Sequence, residues 1–331
     1  MNFIKASTVS SSTTTRSTTI KSTTTRSTTK AIKKEFGRIC KASSFLIGFV
    51  LIGLSSLKIG AAELPNHDIV IFDLDNKGNE LTISNPQIVA ASPDYDNQPS
   101  FSVDGSEVYF TRIESGTANL WKWSLISDQE FPLAQSNLSE YSPTQIPFEP
   151  TSFSTVRVEQ DGTQRLWKYS PQNGFSVIFE SIKPVGYHAW SEKNIAMFVL
   201  GEPHTLQVSQ LGKQSATIVD RNIGRCLQKV PGHNQISYTA FSGENSLLKV
   251  YDFTTQKISS LKLLPGNSQD YVWYSSDKVI SSDGERLLVT DINQHSSWQS
   301  VQNLSKLKIK NISRLAISPN KDKLAVVFTK S

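Results

Sequence analysis

The chain has 331 residues with 34 basic and 29 acidic side chains, a formal charge of +5, and 37% of it is hydrophobic. Residues 1–62 hold ten basic side chains against the single acid Glu35, which leaves 24 basic and 28 acidic side chains in 63–331, a net of −4. The basic balance therefore belongs to the start of the chain and excludes an argument for nucleic-acid binding, while Cys226, the one cysteine after residue 62, excludes an internal disulfide framework.

Residues 1–32 are a low-complexity leader. Thr13-Thr14-Thr15-Arg16-Ser17-Thr18-Thr19 returns as Thr23-Thr24-Thr25-Arg26-Ser27-Thr28-Thr29, with no apolar periodicity to bury. Residues 33–62 then run from a Lys/Arg cluster through the apolar stretch Phe45–Leu57 to Gly60-Ala61-Ala62. Basic, apolar and small, in that order, is the layout of a signal sequence, and the apolar stretch is short for a bilayer span. Cleavage is expected after Ala62, with a periplasmic or secreted product that meets a membrane only if the signal stays uncleaved. An organellar transit peptide and an uncleaved signal anchor are the competing readings.

From residue 63 onward short alternating stretches recur, such as Glu107-Val108-Tyr109-Phe110-Thr111, Asn119-Leu120-Trp121-Lys122-Trp123 and Leu324-Ala325-Val326-Val327-Phe328. Period-two alternation broken by Gly, Asp, Asn and Ser predicts an all-β domain. The stretches also repeat. Gln98–Phe110 reads as a strand, a Ser-x-Asp-Gly turn and a second strand, and a third strand ends near Leu125. Setting the residue before each turn in register gives Phe101, Gln145 (a polar exception), Trp190, Val230, Trp273 and Ile317. Third strands are predicted at Arg165–Tyr169, Thr205–Val208, Leu247–Asp252 and Arg286–Asp291. A spacing of about 43 residues with four short strands per unit predicts a six-bladed β-propeller. The sixth unit stops at Phe328 after two strands. Its missing pair is expected at Asp68–Leu74 and Leu81–Ala90, so strands from both termini would close the last blade and leave no open sheet edge.

Pro99–Phe110 and Leu315–Phe328 resemble the PD40 (WD40-like) repeat of TolB-type propellers. Ser102-Val103-Asp104-Gly105 and Ser318-Pro319-Asn320-Lys321-Asp322 stand where that family has Ser-Pro-Asp-Gly. The resemblance covers 63–331 and implies a propeller module of a kind shared by proteins of unrelated function. TolB itself carries an α/β domain ahead of its propeller, for which the expected cleavage site leaves no room.

Signatures of catalysis are missing. There is no Gly-x-Ser-x-Gly elbow, no His-Glu-x-x-His helix, no phosphate loop and no dinucleotide fingerprint. Asp73–Gly78 has the look of a calcium loop, but Lys77 and Ser84 stand where ligands are required, so it reads as a strand-connecting turn. No cofactor and no metal are expected. Lys306-Leu307-Lys308-Ile309-Lys310 alternates as an exposed strand would.

In a propeller the segments just before the innermost strands converge on one mouth of the central channel. Here they supply Asp96, Asn97, Glu140, Tyr141, Tyr187, His188, Arg225, Asp270 and Arg314. Carboxylates, guanidiniums, an imidazole and tyrosines in one ring suit a small polar ligand such as a sugar or peptide. The same residues also suit plain ion pairing that plugs the channel. The expected function is a monomeric, non-catalytic binding or protein-interaction module, its partner an envelope protein or a small polar ligand. The alternative is a lyase or hydrolase acting on a carbohydrate or peptide, with a carboxylate or His188 moving protons and an arginine steadying negative charge.

Overall fold

Alternation at period two, interrupted by turn residues, produces 24 strands and one 3₁₀ turn in the computed structural model, which describes residues 66–329 except 79, 94, 295 and 296. The predicted leader, signal sequence and cleavage site lie outside the described residues. The chain enters with β1 (His67–Lys77) and β2 (Glu80–Ala90). Blade 1 follows as β3 (Tyr95–Phe101), β4 (Glu107–Glu114), β5 (Thr117–Ser124) and β6 (Gln129–Ala134). Blade 2 is β7 (Ser139–Gln145), β8 (Phe153–Val158), β9 (Gln164–Ser170) and β10 (Gly174–Val177). Blade 3 is β11 (Val185–Ser191), β12 (Asn194–Val199), β13 (Thr205–Gln210) and β14 (Thr217–Arg221). Blade 4 is β15 (Ile223–Lys229), β16 (Gln235–Ser242), β17 (Asn245–Asp252) and β18 (Ile258–Leu263). Blade 5 is β19 (Tyr271–Trp273), β20 (Lys278–Ser282), β21 (Arg286–Asp291) and β22 (Gln299–Asn303). Blade 6 takes β23 (Lys310–Ile317) and β24 (Lys323–Thr329) from the end of the chain and β1 and β2 from its start, in the order β23-β24-β1-β2.

The closing contact is antiparallel and in unbroken register from His67↔Thr329 to Asp73↔Lys323. A salt bridge from Lys323 to Asp73 fixes one end, and Leu74 N–H donates to the Asp322 carbonyl at 2.8 Å. Alternation then sends the two faces of β1 into different cores. Val70, Phe72 and Leu74 pack with Val272, Ile280 and Leu287 of blade 5, while Ile69 and Ile71 pack with Val108 and Phe110 of blade 1. Burial on both faces explains why this strand reads as an almost continuous apolar run.

Similar cores join blades 2 and 3, 3 and 4, and 4 and 5. The seam between blades 1 and 2 is laced by a run of hydrogen bonds. Ser100 Oγ donates to the Pro143 carbonyl at 2.5 Å, Val103 N–H to Gln145 Oε1 at 2.7 Å, and Ser142 N–H to Gln98 Oε1 at 2.8 Å. Gln145, polar where the repeat has an apolar residue, earns its place there: its other end donates to the Pro150 carbonyl at 2.6 Å.

The repeated turn is a serine device. In blade 1, Ser102 Oγ donates to Asp104 Oδ1 at 2.6 Å and accepts Glu107 N–H at 2.9 Å, with Gly105 at φ 75°. In blade 6, Ser318 Oγ donates to Asp322 Oδ1 at 2.7 Å and accepts Lys323 N–H at 3.0 Å. Lys321 takes the left-handed position there, at φ 64°.

Two local expectations are corrected. Lys306–Lys310 is not a strand: Ser305–Leu307 forms the 3₁₀ turn, Lys308 is left-handed and Ile309 is buried beneath, so alternation arises without extended backbone. Asp73–Gly78 is strand as far as Lys77, and the Asp73 carboxylate is occupied by Lys323 and by Asn85 Nδ2 at 2.7 Å.

Phe72 is 1% exposed in the closing blade, so Phe72→Ala is expected to cost about 3–5 kcal/mol in urea unfolding. Ser318→Ala, which removes one donor and two acceptor contacts, is expected to cost about 1–2 kcal/mol by the same measurement. A Phe72→Ala loss below that of Ser318→Ala would show that ring closure contributes little to the native core.

Candidate functional site

The first strand of each blade lines the axis. Neighbouring inner strands touch in turn, β3 to β7, β11, β15, β19, β23 and back to β3, so they enclose a channel. Five of the six are bulged or irregular, with register shifts at Asn97/Ser100, Tyr141/Thr144, Val185/Tyr187, Ile223/Leu227 and Lys310/Arg314. The single extra residue in β3, β7 and β11 reverses which side chain faces inward beyond it.

Asp96 and Glu140 turn into their own blades. Asp96 accepts Arg112 Nε at 2.7 Å and Ser92 N–H at 2.5 Å. Arg112 continues bidentately to Glu130 and lies 4.7 Å from the Trp121 ring. Glu140 repeats the arrangement: Arg157 Nε is 3.0 Å away, and that guanidinium lies 5.1 Å from the Trp167 ring. Asn97 Oδ1 caps Gln98 N–H at 2.7 Å. These three side chains serve blade structure.

His188 sits between blades 2 and 3, its Nε2 2.7 Å from Ser154 Oγ. Ser154 Oγ also donates to the Thr144 carbonyl at 3.1 Å and accepts Trp190 Nε1 at 2.8 Å. The same pattern recurs two blades on, where Ser237 donates to Gln228 and accepts from Tyr271 and Trp273. Tyr271 stands in the place of His188, so in both cases the position joins one blade to the next. Burial pushes the His188 imidazole down to about 3.

One residue of each blade does meet at the axis: Tyr95, Tyr141, Tyr187, Arg225, Asp270 and Arg314. Tyr95 and Tyr187 both feel the charges of Arg225 and Arg314, Tyr141 interacts with Tyr187, and Asp270 feels both guanidiniums. Arg314 of blade 6 reaches blade 3 on the opposite side, donating from Nη2 to the Tyr187 hydroxyl at 2.8 Å with its charge 4.7 Å from that ring's centre. Arg225 Nη2 donates to the Ser313 carbonyl at 2.9 Å. Asp270 accepts Leu315 N–H at 3.1 Å, and its other oxygen is 4.0 Å from Arg314 Nη1. Glycines set the depth of two members. A Cβ on Gly186 would come within 2.9 Å of Phe198, and one on Gly224 within 3.1 Å of Thr239, so Tyr187 and Arg225 follow strands that pack unusually close.

The ring has two halves, tyrosines from blades 1 to 3 and Arg-Asp-Arg from blades 4 to 6. Burial pushes the Tyr95 and Tyr141 hydroxyls up. It does the same to Tyr187, but the pull of Arg314 and Arg225 outweighs it and leaves that hydroxyl below its ordinary value. Burial also pushes the Asp270 carboxyl up, against both guanidiniums. Several buried polar atoms here lack partners: Arg225 Nε, Arg314 Nε, Asp270 Oδ2, Ser313 Oγ and Ser142 Oγ. Tyr95 is the ring member left out of the predicted set; the signal was the even spacing of Tyr95, Tyr141 and Tyr187, 46 residues at each step. No group of three or more His, Cys, Asp or Glu among the described residues is placed to hold a metal.

Because the folded protein keeps His188 neutral while the unfolded chain protonates it near pH 6.5, this residue destabilises the fold progressively as pH falls from about 6.5 towards 3. Between pH 7 and 5 the parent should lose roughly 2 kcal/mol more urea stability than His188→Asn. Equal losses in parent and variant would contradict a sequestered neutral imidazole.

No protein-family model and no curated protein matches the chain. Solved structures do. A putative TolB from Agrobacterium tumefaciens superposes with a TM-score of 0.61 at 14% identity, covering 81% of this chain and 99% of that one. TolB from Acinetobacter baumannii gives 0.52 at 11%, covering 80% of this chain and 65% of its own, so the match spans less than two thirds of that protein. An oligogalacturonate lyase from Vibrio parahaemolyticus gives 0.53 at 10%, covering 75% and 83%. At these identities the likeness shows the fold. Residues 66–329 form a TolB-like six-bladed β-propeller, closed by strands from the two ends of the described chain.

Proposed function

We propose that this chain is an exported, non-catalytic binding module that seats a small polar ligand, or a projecting segment of an envelope protein, in the ring of Tyr95, Tyr141, Tyr187, Arg225, Asp270 and Arg314. The observation that carries this reading is the unbalanced charge of that ring, two guanidiniums against the one carboxylate Asp270. A plug built only for stability would balance its buried charges. Rigid blades hold the ring in place before anything binds, which keeps the ordering cost of association low. The basic, apolar and small order of residues 33–62 supports export.

Three of the four proton-transfer candidates sit away from the ring. Asp96 and Glu140 are committed to Arg112 and Arg157, and His188 is buried between blades, which leaves Asp270. Likeness to the TolB propellers supports the protein-interaction reading, and likeness to the lyase is one of fold.

The purified chain should unfold at a higher temperature in the presence of a bound species, by about 2.7 kcal/mol of stabilisation at a hundredfold excess over Kd. The panel consists of oligosaccharides, short peptides, divalent metals and envelope extracts, with in vivo crosslinking from a photoreactive residue at position 187 as the second arm. A midpoint shift or crosslink that disappears in Arg314→Gln supports the channel site. No shift and no crosslinked partner would sink the binding reading.

A further inference from the structure

The charge arrangement in the ring is lopsided in a way that specifies the ligand. Two guanidiniums face one carboxylate, Asp270, and that carboxylate has one oxygen committed to the Leu315 amide. Its other oxygen stands 4.0 Å from Arg314, too far for a hydrogen bond. No carboxylate of the described residues pairs with Arg225, whose one hydrogen bond goes to the neutral Ser313 carbonyl. Each arginine carries five N–H donors in a planar fork, and the buried Nε of each is unpartnered. Buried charge of one sign needs an opposite charge close by.

The neighbouring groups agree in sign. Tyr187 accepts from Arg314, which leaves its own proton free to donate, and its hydroxyl is drawn below its ordinary value by both arginines. The field at that point therefore favours negative charge. Asp270 Oδ2, an unpartnered acceptor, asks for an O–H or N–H donor beside the anion.

Resting on the binding function proposed above, we propose that Arg225, Arg314 and the Tyr187 hydroxyl form a clamp for a carboxylate group, and that Asp270 receives a hydroxyl or amide hydrogen from the same ligand. Planar forks match carboxylates bidentately, which is why arginine and not lysine fits the role. An acidic sugar and the free C-terminus of a peptide both carry this pairing of groups.

The test uses two matched pairs of probes and titration calorimetry on the purified chain. One pair is glucuronate with glucose; the other is N-acetyl-alanyl-alanine with its C-terminal amide. At least one acid should bind tenfold or more tightly than its neutral counterpart, and the pair that responds identifies the source of the carboxylate. Arg225→Gln should weaken that binding tenfold or more. Tyr187→Phe keeps the ring and the packing, and should weaken it several-fold, so the clamp stays testable even if an arginine variant fails to fold. Neutral probes that bind as well as the acids would overturn the clamp while leaving a binding site in place. Acid binding that survives both substitutions would overturn it as well. No response to either acid also overturns it, and the broader binding reading then depends on the crosslinking arm alone.

Discussion

The antiparallel pairing of β1 with β24 is the constraint on which the remaining geometry depends. It joins the first and last strands of the described chain, and it completes the one blade whose strands are not consecutive in sequence. Without it blade 6 would be a two-stranded ribbon, which is marginal in water. The cores shared with blades 5 and 1 would each lose one wall. The effect reaches the axis, because the inner strand of that blade carries Arg314, and Arg314 touches the far side of the ring. Closure at the rim and the chemistry at the centre are thus one mechanical unit.

Between blades the protein uses two kinds of glue. Apolar clusters fill five junctions, and a hydrogen-bonded seam joins blades 1 and 2. Polar contacts also recur inside the apolar junctions, where Ser154 and Ser237 each collect a tryptophan N–H from the next blade. Directional bonds of this kind fix the angle between blades more tightly than hydrophobic packing, which is roughly proportional to area and indifferent to direction. That precision suits a site assembled from six separate strands.

The fold was legible in the sequence because its signals are local and repeated. Strand alternation, the Ser102 and Ser318 turns and the split sixth blade all follow from period two and turn chemistry. The ring was legible only in part. Arg225, Asp270 and Arg314 were identified in blades 4 to 6, together with Tyr141 and Tyr187. In blades 1 to 3, Asp96, Glu140 and His188 were also chosen because charge and imidazole attract attention, yet each stands one residue from the tyrosine that faces the axis. In blades 1 and 2 a bulge between that position and the turn sets the parity, and no composition or spacing reports a bulge. Ion pairs such as Asp96–Arg112 were equally hidden, since they form between strands whose pairing is known only once the hairpin register is known. Lys306–Lys310 shows the converse, an alternating stretch that a 3₁₀ turn accommodates as readily as a strand.

The contact between Arg314 and Tyr187 joins strands on opposite sides of the axis, so it lies across the channel as a bar. Blades 3 and 6 are therefore tied to each other directly as well as through the blades between them, so the ring is braced across its diameter and not only around its circumference.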